Sequence, residues 1–502
     1  MNSATTELIA LVKRADTLAN IAGLLGWDEQ VNLPPGAAEQ RGAQMAALAA
    51  VVHTASSEPR IGALLAQLEQ NGAAGLTDDE RTIVRQARRD YDVATKLPAA
   101  FVEEKATQDS RGYHAWARAR ADNDFASYIP VLEKNLELVR REAAYLGKGD
   151  APYDYMLDKH DPGLTAAAVD RLFGELKREL VPLVRQITAS PVTARARTVG
   201  EKLRGFPIDG QRAFLREVTG RIGFDYNRGR IDVSLHPFCS GTGSDVRMTT
   251  RYKEDQPLDA LLSSIHETGH GLYEQGLPAD LLGTGLGINA GMAVHESQSR
   301  LWENQVARSR PFWRFFEPRW RELFPAQTAG VSSDELYLAI NAVEPTLIRV
   351  DADEVTYNLH IILRFEIEKQ LFSGELAVRD LPAAWLRASR ELVGLEPAND
   401  REGVLQDVHW SGGAFGYFPS YCLGNMIAAQ LWYRALALRP DLEADFARGD
   451  FSWLLEWLRE NVHRQGRRFS ALELVRRVTG EELSPRPLVR YLRERYGSLY
   501  GL

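Results

Sequence analysis

From residue 1 to residue 188 the apolar positions recur at three- and four-residue intervals, the period of amphipathic helices. The pattern covers 1–25, 37–55, 60–70, 77–96, 98–121, 124–146 and 165–188, all rich in the helix formers Ala, Leu, Arg and Glu. Pro34-Pro35-Gly36, Gly147-Lys148-Gly149-Asp150 and Asp161-Pro162-Gly163 punctuate it, and Thr165 is placed to cap the helix that follows. The period changes once. Arg230–Phe238 and Asp245–Tyr252 alternate at period two with Cys239–Ser244 between them, which predicts a β-hairpin. Helical spacing returns over Pro257–Gln275, where Leu258, Leu261, Leu262, Ile265, Gly269 and Leu272 form one stripe. Pro257 suits its first turn, and Gly276-Leu277-Pro278 is a stop signal. Another helical stretch runs from Asn289 to about Arg308. Glu344-Pro345-Thr346 opens a further one that carries Arg349, Asp351, Asp353, Glu354 and His360 among apolar residues. No fixed-period repeat and no low-complexity linker marks a domain boundary. The expected class is mainly α with a small sheet.

Composition adds bounds. With 502 residues, 44% of them hydrophobic and 25% charged, the chain can bury a large core. The net charge of −8 is interspersed, which argues against nucleic-acid or anionic-membrane partners. No window approaches the 18 or more apolar residues of a membrane span. The N-terminal MNSATTELIALVKRADTLANIAGLLGW mixes charges with apolar residues, the pattern of an amphipathic helix and not of a signal peptide, so a cytoplasmic location is expected. Two cysteines, Cys239 and Cys422, make no disulfide framework and are expected as free, packed thiols.

The chemistry concentrates in His266-Glu267-Thr268-Gly269-His270. Residues four apart on a helix point the same way, about 5–6 Å apart at Cβ, so both imidazoles can reach one metal. Glu267, next to the first histidine, is placed to take a proton from water at that metal. A catalytic zinc takes three protein ligands and leaves one position open. Glu296, 26 residues after His270, supplies the third across the Gly-rich loop LLGTGLGINAG. His295 is the competing ligand, but a His, His and Glu set recurs among zinc peptidases. No histidine follows His270 at the metzincin offset. One zinc per chain is expected, with cobalt or manganese as admissible substitutes.

Peptide hydrolysis at such a site also needs an oxyanion donor, for which Tyr421, Tyr417 and His409 are candidates in the Gly- and aromatic-rich segment 403–421, alongside Gln406 and Asp407. Asp353 or Glu354 is a candidate to orient a ligand imidazole. Ser264 and Thr268 are expected on or beside the histidine face. A strand edge next to the metal would suit extended substrate. Capture of a terminal carboxylate calls for a guanidinium, for which Arg349 and Arg247 are candidates.

Several segments together carry a family resemblance: Trp27-Asp28 with Pro34–Ala37, Asp161-Pro162-Gly163, His236-Pro237-Phe238, Asp245–Thr249, HETGH at 266–270 and His295–Gln298. Ile348–Ile361, Gly403–Trp410 and Phe415–Tyr421 continue it. In this order they resemble the thermostable-carboxypeptidase family of microbial zinc metallocarboxypeptidases, related in fold to angiotensin-converting enzyme and neurolysin. The resemblance covers most of the chain. It implies a single catalytic domain over 1–502, with an N-terminal helical half to about 200 and a zinc- and substrate-site half from about 201. It also implies a deep central cleft, a small sheet beside the zinc and a homodimer. The activity it implies is release of C-terminal residues from peptides, with broad preference and poor tolerance of proline. Arg349, with Arg247 second, would hold the substrate carboxylate. His236, Gln406 and Tyr417 would contact substrate, and Tyr421 is favoured over Tyr417 as the catalytic tyrosine. Leu33 departs from the methionine expected before Pro34-Pro35, far in sequence from the chemistry. The alternatives are an oligopeptidase or dipeptidyl carboxypeptidase of the same fold, and a catalytically silent zinc-binding scaffold. Glu267 argues against the scaffold, since a structural site needs no base.

Overall fold

The computed structural model describes residues 3–70 and 75–502. Helix dominates, as the apolar spacing predicts. Ser3–Val31 (α1), Ala38–Ser56, Pro59–Glu69, Asp78–Lys96, Ala99–Asp122, Phe125–Tyr145 and Ala166–Ala189 lie within a few residues of the expected segments. The largest difference is the C-terminal extension of α1, which takes in Trp27 and Asp28. Thr165 caps its helix by accepting from the Ala168 amide at 3.3 Å. Among the described residues no helix is long and apolar enough to cross a membrane.

The chain forms two compact units, each assembled from three stretches. The first holds Met1–Thr95, Glu201–Tyr337 and Leu431–Glu482; the second holds Lys96–Gly200, Leu338–Gln430 and Leu483–Leu502. In the first, Leu8 of α1 packs in one core with Ile61, Leu64, Leu65 and Val84. The sheet belongs to this unit and has the order β1-β3-β2, with β1 at Gly229–Val233, β2 at Cys239–Thr242 and β3 at Asp245–Thr250.

This differs from the expected hairpin. Cys239–Thr242, read as part of a turn, is a strand, because the reversal needs only Gly243 and Ser244: Thr242 already pairs with Asp245. Gly243 has φ +62°, the Gly-first arrangement of a type II′ turn. The 230–238 stretch is not the other arm. β1 runs parallel to β3, with Gly229 opposite Val246 and Val233 opposite Thr250. Beyond Val233 the Ser234 hydroxyl turns to the His236 carbonyl at 2.5 Å, and Pro237 has no N–H to offer a ladder.

The helix after the sheet, α2 (Pro257–Gly276), begins with proline at its first turn, as expected. Leu261, Ile265 and Leu272 are buried along its stripe. Ser264 and Thr268 are buried too, not placed beside the histidine face. Residues two apart on a helix point about 200° apart. Ser264 therefore meets the sheet instead, 2.9 Å from the Thr250 hydroxyl.

In the second unit the helical stretch expected from Glu344 starts only at Tyr357 (α4, Tyr357–Ser373, after α3 at Met292–Arg300 in the first unit). Asp353 explains the delay. Its carboxylate accepts from the Val355, Thr356 and Glu344 amides and from the Thr356 hydroxyl, a local network that competes with helix. α4 itself is buried nearly all round and carries Glu368 at its centre. That carboxylate accepts from Trp410 Nε1 at 2.7 Å, Tyr153 Oη at 2.9 Å and the Gly416 amide at 2.9 Å, pinning both ends of the 410–416 loop.

Burial pushes Glu368 up to about 7, outweighing those donors. A carboxyl with a raised folded pKa contributes stability that is full below its ordinary pKa and is lost as pH rises through the folded value. The difference corresponds to about 3 kcal/mol. Glu368→Gln removes the titration. Denaturant unfolding of variant and parent at pH 5 and pH 8 should show the stability difference moving in the variant's favour at the higher pH. A pH-independent difference would exclude titration of Glu368 in this range.

Candidate metal centre

α2 supplies His266 and His270 from consecutive turns, and α3 supplies Glu296. The helices approach closely because position 269 is glycine. A Cβ there would stand 2.5 Å from Ser299 Cα and 2.6 Å from the Gln298 carbonyl. One oxygen of Glu296 lies 3.6 Å from His266 Nε2 and 3.5 Å from His270 Nε2. The three ligand atoms all lie within 4.8 Å of one another. Ligands about 2.0–2.2 Å from a tetrahedral ion stand roughly 3.3–3.6 Å apart, so the donor set fits a single zinc. Burial, with His295 beside it, brings His270 down to about 3, keeping it in the neutral form that binds metal.

The charges around the ligands are organised. Burial alone would raise Glu296, but the Arg300 guanidinium and His266 hold it well below the usual carboxylate range. Arg300 Nε donates to Glu296 Oε1 at 2.7 Å. Seven residues on, within the π-helical Leu301–Ala307, Glu303 faces His266 Nδ1 at 3.0 Å and also pairs with Arg300 and Arg308. π-helical turns recur at functional sites. Glu303 is thus the orienting acceptor for His266. Asp353 and Glu354, the expected candidates, are occupied elsewhere: Asp353 organises the start of α4, and Glu354 accepts from Tyr496 Oη at 2.6 Å.

His295 stands behind the ligands. Its Nδ1 meets His270 Nδ1, on the side of that ring turned away from Glu296, and its Nε2 lies 2.9 Å from Glu274 Oε1. Glu267 is buried beside the triad, and burial pushes it up to about 7. Glu267, Glu274, Glu296 and Glu303 together carry four carboxylates against the guanidiniums of Arg300 and Arg308. Carboxylates outnumber guanidiniums here, and the excess of negative charge suits a bound cation.

Of the remaining candidates in this unit, Arg247 pairs with Asp245 at 2.8 Å, and its guanidinium lies 4.3 Å from the centroid of the Trp27 ring. Arg230, its neighbour across the sheet, lies 5.2 Å from the same ring, so Trp27 ties α1 to the sheet. His236 is exposed in the β1–β2 connection. Cys239 on β2 is free and half-buried.

The second unit gathers Arg349, Gln406, His409, Tyr417 and Tyr421. Arg349 is buried; its Nε and Nη2 donate to Asp407 Oδ1 at 3.0 and 2.9 Å, and Nη1 donates to Tyr357 Oη at 3.0 Å. Asp407 also accepts from Arg364 Nε at 2.7 Å. Gln406 braces this segment, accepting from the Arg349 amide and donating to the Leu347 and Glu402 carbonyls. His409 Nε2 lies 3.4 Å from Tyr421 Oη, and burial, with the two arginines, brings His409 down to about 4. Tyr417 packs edge-on against His160. The Asp161-Pro162-Gly163 motif finds its reason here, because Asp161 Oδ2 accepts from Ser420 Oγ at 2.6 Å, beside Tyr421. Cys422 is free and buried.

Sequence reading missed Glu303, Arg300 and Glu274. Their spacing was available: Glu274 follows His270 by one helical turn, and Glu303 follows Glu296 by two.

A family model described as Carboxypeptidase Taq (M32) metallopeptidase matches residues 7–496. Thermostable carboxypeptidase 1 of Thermus thermophilus is 42% identical over 512 residues, with 99% of each chain covered. Carboxypeptidase 1 of Bacillus subtilis is 38% identical, covering 99% of this chain and 98% of its own. The crystal structure of an M32 carboxypeptidase from Deinococcus radiodurans is 44% identical and matches over 100% of both chains with a TM-score of 0.94.

Glu303→Gln keeps the shape and removes the charge behind His266. Zinc affinity, measured by chelator competition, should fall about 10-fold or more. Unchanged affinity would confine Glu303 to pairing with the arginines.

Proposed function

This chain belongs to the carboxypeptidase Taq (M32) family and is a zinc-dependent metallocarboxypeptidase, and on that footing we propose that it shortens peptides stepwise from the C-terminus with broad preference, Glu267 acting as general base. The observation that carries the reading is the three-ligand set His266, His270 and Glu296 with Glu267 buried alongside. When bound, zinc lowers the pKa of a water it holds and polarises the scissile carbonyl. Glu267 takes the proton of the attacking water and returns it to the leaving amine. Burial favours the neutral carboxyl, which helps Glu267 hold the proton between the two transfers.

In the second unit Tyr421 is the preferred donor to the oxyanion, with Tyr417 as second candidate and neutral His409 as the hydrogen-bond partner of Tyr421. Arg349 is preferred for the substrate's terminal carboxylate. The supporting observation is electrostatic: Arg349 and Arg364 share the one carboxylate of Asp407, so the buried cluster holds a surplus positive charge. An incoming carboxylate balances it. Arg247 is the second candidate, and His236 and Gln406 are assigned to substrate contact on the family resemblance. The same resemblance supports a homodimer. The interspersed charge supports an enzyme without nucleic-acid partners, and the two free cysteines suit a reducing cytoplasm. The nitrogen and oxygen donors would also accept cobalt or manganese.

A free-acid peptide and its C-terminal amide, each incubated with parent and with Glu267→Gln, test the reaction. The parent should release single residues from the acid only, and the variant should bind zinc yet lose turnover. Internal cuts in both peptides would point to an oligopeptidase, and release of dipeptides from the acid to a dipeptidyl carboxypeptidase. Full activity in the variant would overturn the role of Glu267. For Arg349→Lys, which keeps charge but loses the two-point fork, KM for free-acid peptides should rise about 10-fold with a smaller effect on kcat. An unchanged KM would move the carboxylate site elsewhere.

A further inference from the structure

The two histidine ligands are backed unequally. His266 turns Nδ1 directly to a carboxylate, Glu303. His270 turns Nδ1 to another imidazole, that of His295, and only beyond that ring does a carboxylate follow, Glu274 at 2.9 Å from His295 Nε2. The far end of this chain is itself held, since Asn289 Nδ2 donates to Glu274 Oε1 at 3.2 Å. The Tyr273 ring packs on His295 with centroids 5.3 Å apart, and Tyr273 Oη accepts from the Ala290 amide at 3.0 Å.

Proton accounting leaves one arrangement for these groups. His270 presents Nε2 to the metal position, so that nitrogen is bare and the ring proton sits on Nδ1. His295 Nδ1 must accept this proton and is therefore bare as well. The proton of His295 then sits on Nε2, where the Glu274 carboxylate accepts it. Glu274 thus selects the tautomer of a ligand it does not touch. The sequence spacing makes the circuit compact. His266, His270 and Glu274 fall on one face of α2 at four-residue steps, while His295 adjoins Glu296 in α3.

We propose that His295 and Glu274 are positioning residues: a His270–His295–Glu274 relay fixes the ring plane and tautomer of His270 and so sets how tightly the centre holds its metal. The inference rests on His270 being a ligand. Because His266 has a separate acceptor, loss of the relay loosens one ligand and leaves the other in place.

Metal-free protein titrated with zinc against a chromophoric chelator, and the visible spectrum of the cobalt-substituted form, test the relay. His295→Phe keeps a ring but removes both nitrogens, and Glu274→Leu removes the terminal acceptor. Both should weaken zinc binding 10–100-fold and change the cobalt bands. Glu274→Gln retains an acceptor oxygen and should bind zinc more tightly than Glu274→Leu and return the cobalt bands to those of the parent. Thermal unfolding of the metal-free forms checks that each variant is folded; if His295→Phe is not, the Glu274→Leu and Glu274→Gln pair decides. Parent-like affinity and spectrum in Glu274→Leu, or equal damage from Gln and Leu, overturns the relay. His270→Ala is the control. If it keeps full affinity, the ligand assignment falls; if it loses metal while the relay variants do not, only the relay falls.

Discussion

At Gly269 the metal helix meets the backbone of the helix that follows, with no side chain between them. The space a Cβ would need is already taken by Ser299 Cα and the Gln298 carbonyl. This approach sets the distance from which Glu296 reaches both imidazoles. Behind them, His295 reaches His270 and Glu303 reaches His266 from the same return of chain. Two helices in ordinary contact sit 8–10 Å apart, with side chains filling the gap. Here the backbones come closer because position 269 carries no side chain.

Each unit also gathers buried charge in excess of one sign. Around the metal ligands carboxylates outnumber guanidiniums; around Asp407 the reverse holds. Burying unbalanced charge is costly, and a fold selected for stability alone would replace such groups by apolar ones. The first imbalance has a natural complement in a divalent cation, and the second is the ground on which Arg349 is proposed for the substrate carboxylate.

Much of this was legible along the chain. Most helices of the first 190 residues follow from the spacing and abundance of helix-forming residues, while the short Pro152–His160 does not. The pairing of His266 with His270 follows from helical geometry, and the role of Glu296 from ligand chemistry. Three readings went astray where local hydrogen bonding overrode the pattern. Asp353 held the chain out of helix before Tyr357. Gly243 and Ser244 make the reversal alone, where the pattern predicts a turn over Cys239–Ser244. Ser234 and Pro237 end β1 after Val233, and β1 pairs parallel to β3. None of these leaves a mark in hydrophobic periodicity, which senses faces and not partners.

The sequence by itself determined the mainly helical class and the donor set of His266, His270 and Glu296, because these depend on helical spacing or on short motifs of chemically obligate residue types. Only the tertiary structure decided that Glu303 and not Asp353 or Glu354 stands behind His266, that His295 backs a ligand instead of being one, and that Arg349 and Arg364 share a single carboxylate. These are contacts between separate elements. Which donor meets which acceptor there depends on how the elements pack, and many residues along the chain have the right chemistry for each place.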